Sequence, residues 1–324
     1  MPTLKNKNVL VTGGAGFIGS HLVDGLIIEK PAKIVVVDNF FLGRLKNLAE
    51  AKMNFKNLKI INQDATDFEA MKKILPREKI DLIYNLATKA LEYSFVNPDD
   101  AYMVNVNLAS VLLRLLHQKK YSTLIHCSSS EAYGSKERGL ISEKHALDPE
   151  TLYAAGKASA DLMVRSYYKT YKLDLATIRP FNNYGPRQND KQYSAVIPIT
   201  IKRILSGNSP IIYGDGNQTR DFIYVKETVR AMIMIYKNQD TRGKEINIAS
   251  GREMKIKDLI NFIAKKLKYR GKIIHKPPRV ADVRRHKASA KFARQLLNFV
   301  PKTTFNEGIE KTIKWYLNEK NSLN

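Results

Sequence analysis

The sequence predicts an α/β protein built on a doubly wound parallel sheet, and three observations carry that reading. Short apolar runs rich in Val and Ile alternate with helix-like stretches through the first half of the 324-residue chain. A glycine-rich turn follows the first run and opens a helix-like segment. A second apolar run then ends on an acidic residue about twenty positions beyond the last glycine of that turn.

Taken in order, strands are expected at 8–12, 33–37, 58–61, 81–86, 122–128 and 174–179, with helices near 17–29, 67–74, 99–119 and 152–171. Helices between successive strands make the sheet parallel, because a parallel pair needs a long crossover. The Pro- and Gly-rich stretch from Pro180 to Gly216 breaks the alternation and reads as loops around one helix. A helix and strand over 226–248 are placed to return to the sheet. From Ile256 onward come amphipathic helices and the basic loop Lys276-Pro277-Pro278-Arg279. No internal repeat or low-complexity linker interrupts the pattern.

The turn itself, within Leu10 to Leu22, fits the G-x-G-x-x-G fingerprint through Gly14, Gly16 and Gly19, and Gly13 adds an overlapping G-x-x-G-x-x-G. Such glycines permit a tight turn, let backbone approach a pyrophosphate, and let helix pack on strand. The helix start adds free N–H groups and a positive dipole end. The run Lys33 to Val37 ends in Asp38, placed to accept hydrogen bonds from an adenosine ribose. Strand, turn, helix, strand and acid together predict dinucleotide binding. Asp38 favours NAD over NADP, since a 2′-phosphate would meet like charge; Arg44 is the one nearby feature that pulls the other way.

Composition sets limits. Hydrophobic residues at 44% and charged residues at 26% are ordinary for a globular chain. No apolar run approaches the ~20 residues that span a membrane, and no signal-peptide pattern precedes the first strand, so a cytoplasmic protein is expected. Cys127 is the only cysteine, which excludes an intrachain disulfide and a cysteine-based zinc site. The histidines, among them His21, His126 and His286, lack metal-ligand spacing, and no metal is expected. The net charge is +23, and residues 251–324 alone hold 19 Lys or Arg against 6 Asp or Glu. The lysines are scattered without interleaved aromatic residues, so a nucleic-acid partner is not expected.

Tyr153 and Lys157 stand four residues apart, on one face of a helix. An ammonium near a phenol favours phenolate and lowers its pKa from about 10. A tyrosine tuned in this way can take a proton from a sugar hydroxyl. The pair lies one strand after Ser128-Ser129-Ser130-Glu131-Ala132-Tyr133-Gly134.

These motifs, with Asp38-Asn39, Asp64 and Asp67, Asn85-Leu86-Ala87, Asn105, Arg179 to Arg187, Gly214 to Phe222 and Ala281-Asp-Val-Arg284, run nearly end to end. In that order they resemble the extended short-chain dehydrogenases/reductases that act as NAD-dependent nucleotide-sugar epimerases and dehydratases. The resemblance implies a Rossmann-type NAD-binding domain over 1–180, rejoined by 221–248, and a smaller C-terminal α/β part over 181–324 that binds the nucleotide sugar. It implies that Gly13, Gly16, Phe17, Ile18, Gly19, Asp38, Asn39, Asp64, Ala65, Leu86, Ala87, Lys89 and Asn105 hold the cofactor, together with Tyr153 and Lys157. Ser129 would hydrogen-bond the sugar 4-hydroxyl, and Tyr153 would be the base. Asn182, Arg187, Arg220 and Arg284 would meet the substrate, arginine being suited to phosphate by its planar fork. Relatives pair the helices near 99–119 and 152–171 into a four-helix interface, so a homodimer is expected.

Glu131 divides the family. After C4 oxidation a 4,6-dehydratase needs a carboxylate to take the C5 proton, and dehydratases resembling this chain carry Glu here. Ser130 stands where many dehydratases have an Asp that protonates the departing hydroxyl; it matches the Ser-Glu pairing of the GDP-mannose type. Thr88-Lys89-Ala90 is closer to a galactose-type epimerase. The preferred expectation is therefore 4,6-dehydration with Ser129, Ser130, Glu131, Tyr153 and Lys157 as the catalytic set. The alternatives are 4-epimerisation of the UDP-glucose/UDP-galactose type, UDP-glucuronate decarboxylation, which Asp221 disfavours, and a non-catalytic nucleotide- or nucleic-acid-binding protein.

Overall fold

The computed structural model describes residues 2–136, 139–190, 194–278 and 283–321. Arg279 and the Ala281-Asp282 half of the C-terminal motif lie outside the described residues. The central sheet contains β1 (Asn8–Thr12), β2 (Lys33–Asp38), β3 (Leu58–Asn62), β4 (Leu82–Asn85), β5 (Thr123–Cys127) and β6 (Leu175–Pro180). The strand Glu245–Ile248 adds beside β6, giving seven strands in the order 245–248, β6, β5, β4, β1, β2, β3. All neighbours are parallel. Strand order reverses between β1 and β4, the place where a doubly wound sheet opens a crevice at its carboxyl ends.

The apolar runs are continuous rather than alternating because both faces of the sheet are covered. Val9, Val11, Ile34 and Val36 pack toward the helices Phe17–Ile28 and Val225–Lys237. Leu10, Val35 and Val37 pack toward Phe68–Arg77, Pro98–His117 and Leu152–Tyr171. Each such buried side chain contributes about 1.5–3 kcal/mol.

Beyond Pro180 the chain builds a second, smaller sheet in which Thr219–Tyr224 is the central strand. It pairs in parallel with Asn182–Tyr184 and Arg285–His286 and antiparallel with Glu253–Lys255. The sequence reading gave loops around one helix here; the helix is Val196–Leu205, and strands of two to six residues are too short to show a period. A third core gathers on this side, with Ile197, Ile201, Tyr224, Leu259, Ile260 and Ile309 fully or nearly buried.

One polar cluster crosses the main sheet. Arg179 of β6 is fully buried; its Nε donates to Asp161 Oδ2 at 2.7 Å and a terminal nitrogen donates to Tyr133 Oη at 2.7 Å. Tyr133 Oη donates in turn to Asn247 Oδ1 at 2.9 Å. Burial raises the Asp161 carboxyl, and the Arg179 guanidinium works against that rise. Among the described residues, no helix is long and apolar enough to cross a membrane, and no cluster of His, Cys, Asp and Glu is placed to hold a metal.

Glu78, beyond the end of the helix Phe68–Arg77, is 3% exposed and collects Lys59 at 2.7 Å, Arg77 at 2.9 Å and Lys33 at 3.3 Å. Lys59 foremost, these cations hold its carboxyl at about 2 against an ordinary 4.5. A depressed carboxylate stabilises the fold above its unfolded value and loses that contribution as pH falls through the folded value. Glu78→Gln is expected to melt at a lower temperature than the parent at pH 7. In thermal melts the difference should narrow between pH 4.5 and about 2; a gap constant across that range would contradict this account.

Candidate active site

A cleft of about 590 Å³ opens at the carboxyl ends of the sheet strands, and its floor is the glycine turn. Gly13 has φ +66°, and a Cβ there would lie 2.8 Å from the Ala87 Cα. A Cβ on Gly19 would be driven into the Gly13 carbonyl oxygen. Only glycine fits both positions, so backbone is exposed where side chains would otherwise stand. The helix Phe17–Ile28 starts after Gly16 without a side-chain cap and without an acid in its first turn. Its first N–H groups and dipole end suit an anion. Gly16, Phe17, Ile18 and Gly19 line the cleft.

Asp38 closes one side. It is 7% exposed and accepts from the Ala15 N–H at 2.9 Å and the Phe40 N–H at 2.8 Å, while burial pushes its carboxyl up. Asn39 Nδ2 donates to Asp64 at 2.9 Å, and Thr66 donates to Asp64 through both its N–H and hydroxyl. Burial opposes it, but these bonds hold Asp64 below the usual carboxylate range. Thr12 Oγ1 accepts the Leu86 and Ala87 N–H groups at 3.2 Å, fixing the loop after β4. Lys89 Nζ sits 3.5 Å from the Phe41 ring centroid and 3.4 Å from Asp100. Ala65 is on the wall, whereas Asn105 stands behind it and accepts from Thr88 Oγ1 at 2.7 Å. Arg44 also lines the cleft, but its guanidinium pairs with Asp190 at 2.9 Å.

The other end gathers the hydroxyl, carboxyl and amine groups. Ser129, Ser130 and Glu131 come from the turn after β5, Tyr153 and Lys157 from the helix Leu152–Tyr171, whose first turn is capped by Thr151. All five line the cleft. The Ser129 side chain hydrogen-bonds Tyr153 and accepts from the Glu131 N–H at 3.2 Å. Lys157 Nζ donates to the Cys127 carbonyl at 3.2 Å and lies 6.0 Å from the Tyr153 ring centroid. The expectation of a lowered Tyr153 pKa is corrected here. Burial raises the phenol above its ordinary value, more than its bond to Ser129 lowers it, and burial also lowers Lys157. Desolvation dominates the phenol, while the ammonium is directed at the Cys127 carbonyl.

Toward the second sheet, Asn182 Nδ2 donates to the Asp221 carbonyl at 3.4 Å, and Arg220 donates to the carbonyls of Thr219 and Val283. Both line the cleft, as does Arg187, which pairs with Asp24 at 2.7 Å and Glu50 at 3.6 Å. Arg284 is not on the wall: Asp215 takes both ends of its fork, at 3.0 and 3.2 Å. The sequence reading did not single out Val196, Ile199, Arg203 and Tyr213, which also line the cleft. The signal for Val196 and Ile199 was the apolar spacing of 196–205; Tyr213 had none. His21 and His126 are buried, and desolvation brings them down to about 4 and about 3. Cys127 is on the cleft wall with its thiol pushed up to about 11 by burial.

Comparison with known proteins identifies the class. The profile of the family described as GDP-mannose 4,6 dehydratase matches residues 10–312. The chain is 33% identical over 322 residues to the human dTDP-D-glucose 4,6-dehydratase, covering 96% of this chain and 90% of that one. A UDP-N-acetylglucosamine 4-epimerase of Methanobrevibacter ruminantium, solved with UDP-N-acetylmuramic acid, superposes with TM-score 0.89 at 36% identity over 97% and 99% of the two chains. The dTDP-glucose 4,6-dehydratase DesIV of Streptomyces venezuelae, solved with NAD and TYD, gives TM-score 0.92 at 28% identity over 97% and 98%. The chain belongs to the extended short-chain dehydrogenase/reductase family of NAD-dependent nucleotide-sugar dehydratases and epimerases, and it is an enzyme of that class.

The glycine cradle gives a direct test. Gly19→Ala is expected to weaken NAD binding by at least about tenfold, or about 1.4 kcal/mol, measured by calorimetry. Unchanged affinity would show that the turn does not carry the cofactor.

Proposed function

We propose that this protein binds NAD in the crevice, oxidises C4 of a nucleoside-diphosphate hexose, and then removes water across C5 and C6. The observation that carries this reading is a half-buried carboxylate, Glu131, on the same cleft wall as Ser129, Tyr153 and Lys157. The cofactor is supported by the cradle at Gly13 and Gly19, and NAD in particular by the Asp38 carboxylate. Arg44, engaged by Asp190, is not a ready partner for a 2′-phosphate. When bound, NAD supplies the acceptor and later the donor of a hydride.

The protein groups then have distinct tasks. Ser129 and Tyr153 meet the 4-hydroxyl, and Tyr153 takes its proton. Lys157, fixed by the Cys127 carbonyl, stands on the same helix one turn from the phenol and lines the same cleft. The C4 ketone acidifies the C5 hydrogen, and Glu131 takes that proton. With Ser130 in place of an acid, Glu131 returns the proton to the 6-hydroxyl, which leaves as water; once hydride has returned to C6, C5 takes a proton from solvent and Tyr153 releases to solvent the one it took from O4. Asn182 and Arg220 lie on the diphosphate side of the cleft, Arg187 at its rim.

A second reading, 4-epimerisation, is favoured by Thr88-Lys89-Ala90, a segment closer to a galactose-type epimerase, which lines the same cleft. The reactions separate in D2O with UDP-, dTDP-, GDP- and CDP-hexoses. Dehydration gives a product lighter by one water with deuterium at C5, read by mass spectrometry and NMR. Glu131→Gln should then lose roughly 10²–10⁴-fold in turnover. A sugar inverted at C4 with no deuterium at C5, and retained turnover in Glu131→Gln, would establish epimerisation instead.

We infer a homodimer through the helices Pro98–His117 and Leu152–Tyr171. They leave Met103, Leu152 and Leu162 exposed at 50%, 40% and 50%. Leu162→Asp is expected to sediment as a monomer where the parent sediments as a dimer.

A further inference from the structure

The strand Arg285–His286 lies beside Thr219–Tyr224 with His286 opposite Arg220, and it brings a fully buried imidazole to the back of the catalytic turn. His286 Nε2 is 3.1 Å from the Ser130 carbonyl oxygen, and the ring packs 5.0 Å from Phe181. A carbonyl only accepts, so Nε2 carries the hydrogen, and in the neutral ring Nδ1 is a bare lone pair. Nδ1 faces Glu131 Oε1 at 3.7 Å and has no hydrogen-bond partner. The other charged groups acting on the ring are Arg220, which opposes its protonation, and Glu150, which favours it.

A lone pair facing an ionised carboxylate is repulsive, and a proton on the carboxylate turns the same contact into a hydrogen bond. We propose that His286 is a positioning residue for Glu131: its Nδ1 accepts a hydrogen bond from the carboxylic acid formed when Glu131 takes the C5 proton. This rests on the reading of Glu131 as the C5 base. The acceptor holds the protonated carboxyl in one rotamer, facing the bare Nδ1. The proton then leaves with the 6-hydroxyl as water, so none is gained or lost by the pair. A residue 155 positions away in sequence from Glu131 thereby sets how that carboxylate works.

The test uses two variants and one measurement on the parent. His286→Gln keeps a donor for the Ser130 carbonyl and removes Nδ1. Its C5 hydrogen–deuterium exchange and dehydration are expected to fall roughly 10- to 100-fold. Reduction of bound NAD in a single turnover should stay at the parent rate. Because the acid form of Glu131 loses its partner, the acid limb of the kcat profile should move to lower pH. His286→Asn, whose amide reaches toward Nδ1, should restore part of the loss. In the parent holoenzyme, ¹⁵N NMR should show the Nε2–H tautomer, with an Nδ1 resonance that moves in Glu131→Gln.

Parent-like exchange and pH profile in His286→Gln, with Glu131→Gln inactive, would overturn the role of His286 and leave the base reading intact. Equal loss of C4 oxidation and dehydration would reduce His286 to a structural residue and also overturn it. Dehydration by Glu131→Gln at the parent rate would instead overturn the base reading. Should His286→Gln fail to fold, the tautomer decides: an Nδ1–H ring contradicts the proposal.

Discussion

The arrangement of the groups proposed to be catalytic depends on a buried ion pair, Arg179 with Asp161. Both side chains are fully shielded from solvent. Removing two charges from water costs several kcal/mol per ion, and the attraction repays it only with good geometry and further hydrogen bonds. Here the second bond, to Tyr133, supplies part of that requirement. Loss of one partner would leave the other charge stranded at a cost of about 3–5 kcal/mol. Asp161 lies one helical turn beyond Lys157 and two beyond Tyr153, so the pair fixes the rotation of their helix against β6. Tyr133 is two residues past Glu131. A single salt bridge therefore sets the register of the phenol, the ammonium and the carboxylate together.

The positive charge of the chain is distributed with similar economy. Arg44, Arg187 and Arg284 pair with Asp190, Asp24 and Asp215 respectively. They act as cross-links, tying the segment after β2 to residue 190, Arg187 to the helix Phe17–Ile28, and the loop after Gly214 to the residue before the strand Arg285–His286.

Much of the fold could be read from the sequence because β1 and β2 carry runs of Val, Ile or Leu that are buried almost throughout, and β4, β5 and β6 are buried along their whole length. The glycine turn and Asp38 were equally legible, since backbone geometry and a terminal carboxylate leave a local signature. The smaller sheet left none; its strands are too short, and their partners are distant. The tuning of Tyr153 was misread for a physical reason. Spacing places Lys157 on the same helical face, but it does not reveal that the ammonium turns to the Cys127 carbonyl while the phenol is desolvated. The contact of His286 with the Ser130 carbonyl was also invisible, because no periodic pattern links positions so far apart.

The crevice draws on the carboxyl ends of the parallel strands, and this has a consequence for how the chain can change. The turns that enter β2, β3, β4 and β5, around residues 30, 56, 79 and 120, sit on the opposite rim of the sheet. None of them contributes to the walls around Asp38, Glu131 or Tyr153. Insertions, epitope labels or neutral drift at that rim would be judged by folding alone, leaving the chemistry untouched.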